Sequence, residues 1–392
     1  MKKIIIVGGG TGGISSAAKL RRERPDWSIS IIEPSENHYY QPLWTLVGAG
    51  LADKETTRRD TSSLIPTGVE WIKSKVKSFN PDENKIQLIN DQILSYDYLI
   101  VAAGIQLNWD AVEGLRDAVG KNGVCSNYSL ETVDSTFESI KNTKDGNALF
   151  TQPNTPIKCG GAPQKIMYLA EEYFRDHGVR HNINVEFMSA GASIFGVEKY
   201  RNALQKVVKR KEINESYHMN LVKIDGAKKI ATFENLQTKE LVEKPYSMIH
   251  VTPPMGAPDF VKNSPLADAS GWVEVDKHTT QHVRFPNVFS LGDVSSLPTG
   301  KTGAGIRKQY PILVENLLAY DQNKTLNGKY DGYTSCPLVT GKGKLILAEF
   351  DYDGKPVESF PINQAKERLS MYILKKYILP LLYWFGMMKG RL

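Results

Sequence analysis

One stretch, Lys3 to Glu33 (KIIIVGGGTGGISSAAKLRRERPDWSISIIE), constrains the fold more than any other part of the chain. Ile4, Ile5, Ile6 and Val7 form an apolar run too short for a helix and suited to a strand buried on both faces of a parallel sheet. Gly8, Gly9, Gly10 and Gly13 follow as a G-x-G-x-x-G turn. The first glycine of that motif permits the tight turn, the second admits a pyrophosphate, and the third lets helix and strand pack closely. A helix beginning beneath the phosphates would carry Ile14, Ala17 and Ala18 on its inward stripe and stop at Pro25. Trp27, Ile29 and Ile31 then alternate along a second strand that ends at Glu33, twenty residues past Gly13. A carboxylate there accepts hydrogen bonds from the ribose hydroxyls of an adenosine, which favours FAD or NAD over a 2′-phosphorylated ligand.

The 392 residues are enough for two or three domains, and 41% hydrophobic with 23% charged residues is ordinary globular composition. A net charge of +6, evenly spread, argues against a nucleic-acid partner and suits an anionic membrane face or an anionic cosubstrate. Three cysteines in a chain this long are no disulfide framework, so the expected compartment is reducing and any disulfide is catalytic. The apolar run behind Met1 is four residues long and runs into glycines. It is no secretory segment, and synthesis is expected to end in the cytoplasm.

Past the second strand, HYYQPLW mixes aromatics with Gln41 and is expected near the cofactor. Tyr96 to Gly104 reads as a buried strand ending in the small residues Ala102, Ala103 and Gly104, which permit close approach to a ligand. A second strand–turn–helix unit follows Asn108, but its turn is Cys159-Gly160-Gly161-Ala162-Pro163 in place of a phosphate fingerprint. Its next strand ends in Ser189-Ala190-Gly191 with no acid to hold a ribose. This unit has the outline of a nicotinamide domain without its binding chemistry, so NAD is disfavoured and FAD favoured. A last buried strand ends in Gly292-Asp293, and Lys301, Thr302 and Gly303 follow where a helix could aim its N-terminus at the flavin. The expected fold is α/β with two Rossmann-like dinucleotide-binding domains. Its segments are 1–108 (FAD domain, first part), 109–284 (second domain), 285–330 (FAD domain, second part) and 331–392 (C-terminal region).

The tail AKERLSMYILKKYILPLLYWFGMMKGRL has a charge-free run of twelve residues from Tyr377 to Met388. A bilayer takes about twenty residues to cross. Pro380 is expected to break the helix, leaving a membrane-associated segment in the interface with Tyr383 and Trp384 at headgroup level, flanked by Lys375, Lys376, Lys389 and Arg391.

Cys159 precedes a helix N-terminus, which favours its thiolate. Cys336 stands in YDGYTSCPLVTG, read as a loop rich in turn formers, and Cys125 in NGVCSNYS. Spacing alone leaves these thiols either reactive or buried and inert.

Over nearly all its length the chain resembles the sulfide:quinone oxidoreductases, in the branch that includes the mitochondrial enzyme. The resemblance rests on IIEPSENHYYQPLWTLVGAG, GVEWIKSKV, PNTPIKCGGAPQKIMYLAE, ASIFGVEKY, VTPPMGAPD and YDGYTSCPLVTGKGKLILAEFDY. It implies that Cys159 and Cys336 are a redox pair, and that Glu33, Gln41, Val76, Asp293 and Lys301 match FAD-contacting positions. It further implies that hydrogen sulfide attacks the disulfide or trisulfide of the pair, leaving a persulfide on Cys336 while Cys159 faces the flavin. Two electrons would then pass through FAD to a membrane quinone. The sulfane sulfur would leave on an acceptor: a low-molecular-weight thiol such as coenzyme A or glutathione, sulfite, or sulfide. Homo-oligomerisation is left open. The chain departs from the branch in lacking an N-terminal targeting extension, which moves the expected location to the cytoplasmic face of a cell membrane. It departs also in Cys125 and in the charged GIRKQYP after Lys301. The rival readings are a type II NADH:quinone dehydrogenase-like flavoenzyme and a non-enzymatic persulfide sensor or carrier.

Overall fold

The computed structural model describes all 392 residues. β1 (Lys3–Val7) is the middle strand of a five-stranded sheet ordered β10–β4–β1–β2–β3, with every pair parallel. Here β2 is Ser28–Ile32, β3 Glu70–Ile72, β4 Tyr98–Val101 and β10 Val288–Ser290. Ile4 and Ile6 face one side, with Ile14, Ala17 and Leu20 of α1 (Thr11–Glu23). Ile5 and Val7 face the other, with Leu99, Val101 and Val288. The unbroken apolar run therefore has a physical cause: alternate residues of one strand fill two cores.

The second sheet is also five-stranded and parallel, ordered β5–β9–β6–β7–β8. Its strands are β5 (Val124–Cys125), β6 (Gly146–Gln152), β7 (Ile183–Ser189), β8 (Asn214–Ser216) and β9 (Met248–His250), with α2 (Ala162–Asp176) crossing from β6 to β7. Both sheets are thus Rossmann-type. After β9, Met255 pairs with Leu107, and Ala257, Val261, Leu266 and Val273 join the core of Ile5 and Val7. The chain returns to the first body there, ahead of the expected boundary after residue 284.

Cys336 lies on a strand, where a loop was expected. β11 (Thr334–Gly341) pairs antiparallel with β12 (Lys344–Phe350), placing Cys336 opposite Ala348. The tail differs more. It is a helical rod: α4 (Leu369–Ile373), a π-helical turn (Leu374–Ile378) and α5 (Leu379–Phe385). Pro380 does not break it, because proline stands in the first turn of α5 and the wider preceding turn relieves the need for its missing N–H. Tyr383 and Trp384 are buried in the largest core, together with Met387 and Met388, so neither sits at headgroup level. Lys375 is buried as well and is no flanking surface cation. No helix is long and apolar enough to cross a membrane.

Candidate active site

The carboxyl ends of the central strands open on a cavity of about 680 Å³. Gly8, Gly9, Gly10, Glu33, Gln41, Ala103, Gly104, Cys159, Gly292, Asp293, Lys301, Thr302 and Gly303 all stand on its wall. Gly8 is obligatory: it has φ +105°, and a Cβ would lie 2.4 Å from the Ala102 carbonyl oxygen. Gly13 lies beneath the wall, where a Cβ would come within 1.9 Å of the Gly8 carbonyl oxygen, so its part is helix–strand packing. Gly10, Gly104 and Gly303 have no atom within 4 Å of a Cβ position, so bare backbone faces the cavity. That is the cradle a pyrophosphate needs. Glu33 closes the far end, accepting from Gly9 N–H (2.8 Å) and Ser35 N–H (2.7 Å). Val76 is the exception, since its side chain is buried among Ile5, Val7 and Ile32 and is absent from the wall.

Opposite the glycine turn, α3 (Gly303–Asp321) begins, capped by Thr302 Oγ1, which accepts from Gly305 N–H at 3.1 Å. Its N-terminus meets the cavity, as the sequence suggested. Lys301 Nζ donates to the carbonyls of Asp293 (2.6 Å) and Ser295 (3.1 Å), and burial pushes the amine down to about 8 against the opposing pull of Asp293. Burial likewise raises the Asp293 carboxyl. Lys158 Nζ donates to Gln41 Oε1 (2.7 Å) and the Tyr128 carbonyl (2.9 Å), and burial brings it to about 8.

The two sequence-flagged cysteines converge from α2's leading turn and from β11. Their Sγ atoms are 3.6 Å apart although 177 residues separate them, and both are free thiols. Cys159 takes the left-handed φ of +54° and its N–H donates to the Lys301 carbonyl at 2.9 Å, so its turn is pinned to the first body. Gly161 makes room for the partner: a Cβ there would lie 2.4 Å from Cys336 Sγ. Lys165, buried on α2, places Nζ 3.1 Å from Cys159 Sγ. The hydrogen bond from Cys336 and the Lys165 ammonium hold Cys159 well below the usual thiol range, while the same hydrogen bond and burial hold Cys336 well above it. The pair is therefore polarised, with Cys159 as thiolate and Cys336 as thiol. A second cation bears on it. Lys375 of the tail donates to the Pro42 carbonyl at 2.7 Å, and burial first, then Lys165, bring it down to about 7.

Cys125 has no part in this site. It is buried in β5, its Sγ is 3.5 Å from the Ile249 carbonyl, and burial pushes it up to about 12. At the end of β7, Ser189 Oγ accepts from Gly191 N–H (3.1 Å), so that strand end closes on itself and offers no acid to a ribose.

Sequence reasoning missed Lys158 and Lys165, gave Lys375 and Tyr383 to the membrane interface, and had His38 only within the stretch expected near the cofactor. Lys165 carried a readable signal, because a lysine six residues after the cysteine falls on the helix that the cysteine introduces. The tail residues carried none.

The family model for pyridine nucleotide-disulphide oxidoreductases matches residues 2–144. A Dictyostelium discoideum protein named mitochondrial sulfide:quinone oxidoreductase is 51% identical over 392 residues, covering 99% of this chain and 86% of that one. The chain belongs to the sulfide:quinone oxidoreductase family. The Mus musculus protein of the same name is 48% identical, covering 99% of this chain and 86% of its own. The sulfide:quinone oxidoreductase structure from Aquifex aeolicus superposes with a TM-score of 0.84 at 19% identity, covering 100% of this chain and 92% of that one, which shows the shared fold. As a sulfide:quinone oxidoreductase relative, the protein is an FAD-dependent oxidoreductase. The bare glycine backbone and the α3 N-terminus offer N–H donors and Glu33 an acceptor, a set that fits this cofactor.

Proposed function

We propose that the protein oxidises sulfide at the Cys159–Cys336 pair and sends two electrons through FAD to a membrane quinone. The observation that carries this reading is the polarised pair: two sulfurs 3.6 Å apart, one beside Lys165 and on the wall of the dinucleotide cavity, the other behind it.

The oxidised pair is joined by an S–S bond or by one bridging sulfur, whose end-to-end span of about 3.3 Å is close to the observed separation. Hydrosulfide, drawn in by Lys165 and Lys375, attacks Cys336 Sγ. From the disulfide, a new S–S bond forms there as a persulfide, the Cys336–Cys159 bond breaks, and Cys159 leaves with the electron pair. From the bridged form, the same attack breaks the bond between Cys336 and the bridging sulfur, which leaves on Cys159 and must pass to an acceptor before the thiolate is free. The low pKa of Cys159 makes it the better leaving group, and Lys165 stabilises the thiolate. Lys375, which burial brings down to about 7, adds its positive charge to that of Lys165 while it is protonated. Bound FAD supplies a two-electron acceptor for the Cys159 thiolate and a donor for quinone. Glu33, Gln41, Asp293 and Lys301 would orient it. The persulfide sulfur leaves on a low-molecular-weight thiol, sulfite or sulfide.

The tail supports the quinone half. Leu374, Leu379, Leu382 and Met387 line the cavity, and Leu382 is also exposed, so an apolar path leads from the cavity to the surface. Around that opening Ile373, Tyr377, Leu381 and Phe385 recur every fourth residue and are exposed, with Ile378 beside them. Exposed Lys389 and Arg391 rim the stripe, which matches an anionic bilayer surface. We place the protein peripherally at a membrane, on its cytoplasmic face, a reducing side that suits a chain of 392 residues whose three cysteines make no structural disulfide framework.

Anaerobic mixing tests the reading. Sulfide is expected to bleach the flavin of the purified holoenzyme rapidly and added quinone to restore it, while NADH leaves it oxidised. Rapid bleaching by micromolar NADH, with none by sulfide, would overturn it.

A further inference from the structure

The tail's inner face reaches the cofactor site itself. His38 is buried, with Nδ1 3.0 Å from the Gly9 carbonyl oxygen and Nε2 2.5 Å from Tyr383 Oη. A carbonyl only accepts, so Nδ1 carries the proton, and Nε2 must then accept from the Tyr383 hydroxyl. Tyr383 Oη is also 2.8 Å from Thr11 Oγ1, which is left to donate. One directed chain, Thr11 to Tyr383 to His38 to Gly9, ties the tail helix to two residues of the glycine turn, and all four line the cavity. The tail is tied to α1 a second time near its other end. Gly390 lies against it so closely that a Cβ would be 2.5 Å from Lys19 N, and Arg22 Nη1 donates to the Gly390 carbonyl at 2.7 Å. The opposite face of the same rod is the exposed apolar stripe of Ile373, Tyr377, Leu381 and Phe385.

We propose that the tail helix is a working part of the FAD site, and that its docking and FAD binding are one coupled equilibrium transmitted by the Tyr383–His38–Gly9/Thr11 relay. Docking fixes the turn that cradles the pyrophosphate, and an occupied turn holds the helix down. A bilayer bound to the outer stripe favours the docked helix and therefore tightens FAD. Reciprocity requires FAD to tighten the bilayer by the same factor. This second half rests on the membrane reading above, whereas the relay itself does not.

The test compares the parent holoenzyme with Tyr383→Phe, which keeps the ring and removes only the hydroxyl. Flavin fluorescence after dilution reports FAD release, with and without mixed phosphatidylcholine–phosphatidylglycerol vesicles, and flotation reports vesicle binding of holo- and apoprotein. Tyr383→Phe is expected to weaken FAD binding about tenfold, the scale of one buried acceptor left unpaired, and to shrink the rise in melting temperature that FAD gives the parent. His38→Gln, which can still donate to Gly9 and accept from Tyr383, is expected to retain FAD better than His38→Leu. Vesicles should slow FAD release from the parent and not from Tyr383→Phe, and holoprotein should float more readily than apoprotein. FAD retention in Tyr383→Phe equal to the parent's would overturn the relay. Equal flotation of holo- and apoprotein would overturn the coupling. Flotation of neither would overturn the membrane reading and leave the relay to be decided by FAD release alone.

Discussion

The chemistry at residue scale is set by what surrounds two sulfurs. Cys159→Ser and Cys336→Ser are each expected to abolish steady-state sulfide oxidation and keep FAD, because a hydroxyl is neither redox-active nor able to carry sulfane sulfur. Cys125→Ser should keep most activity, since that thiol is buried away from the cavity. Turnover by both paired variants, or its loss in Cys125→Ser alone, would contradict the pairing. Gly161→Ala should slow sulfide-driven flavin reduction by at least about tenfold, as its methyl would fall 2.4 Å from Cys336 Sγ and displace it. Lys375 gives a pH signature whose sign is fixed. Its lowered pKa, about 7, means that it is charged below that pH and neutral above. Help that depends on its charge is therefore lost as pH rises through about 7. Lys375→Met should react more slowly and lack this limb, which the difference between the two stopped-flow profiles against pH would show. Identical profiles would exclude the role.

The element that decides most is the tail rod. Tyr383, Trp384, Met387 and Met388 are buried in the main core, and Lys375 is buried with them. Truncation before Leu369 should therefore do more than free the protein from membranes. Each apolar side chain removed from the core costs about 1.5–3 kcal/mol, so the holoprotein's melting temperature should fall and FAD should leak. Survival of full flavin content and full sulfide bleaching in the truncated protein would show that the rod is only an anchor. The outer face can be tested apart from the inner one. Leu381→Asp with Phe385→Asp changes residues 56% and 68% exposed, and should abolish vesicle flotation while shifting stability by no more than about 0.5 kcal/mol per site.

For the whole molecule, the cavity is a joint product of both Rossmann sheets, the hairpin and the tail, so no single segment holds the cofactor. FAD binds the folded state alone and should raise the melting temperature. At a hundredfold excess over its dissociation constant the gain is about 2.7 kcal/mol, measurable as the difference between apo- and holoprotein scans. The sequence by itself determined what depends on near neighbours. A strand that fills two cores, a turn that only glycine can make, an acid at the next strand's end and a cysteine before a helix are all written within a few residues. Lys3 to Glu33 was therefore legible, as was the missing acid at Ser189-Ala190. Only the tertiary structure decided what depends on register and on which surface meets which. Cys336 became a strand residue because β12 pairs with it, and Pro380 was tolerated because a π turn precedes it. The Val76 side chain packs in the core, a placement that its sequence neighbours did not show. The tail's apolar character was plain, but its helix is apolar on opposite faces, and hydropathy carries no sign that says which face the protein takes. Packing assigned the inner face to Tyr383, Trp384 and the buried Lys375, where His38, Thr11 and Pro42 supply the polar partners that burial demands.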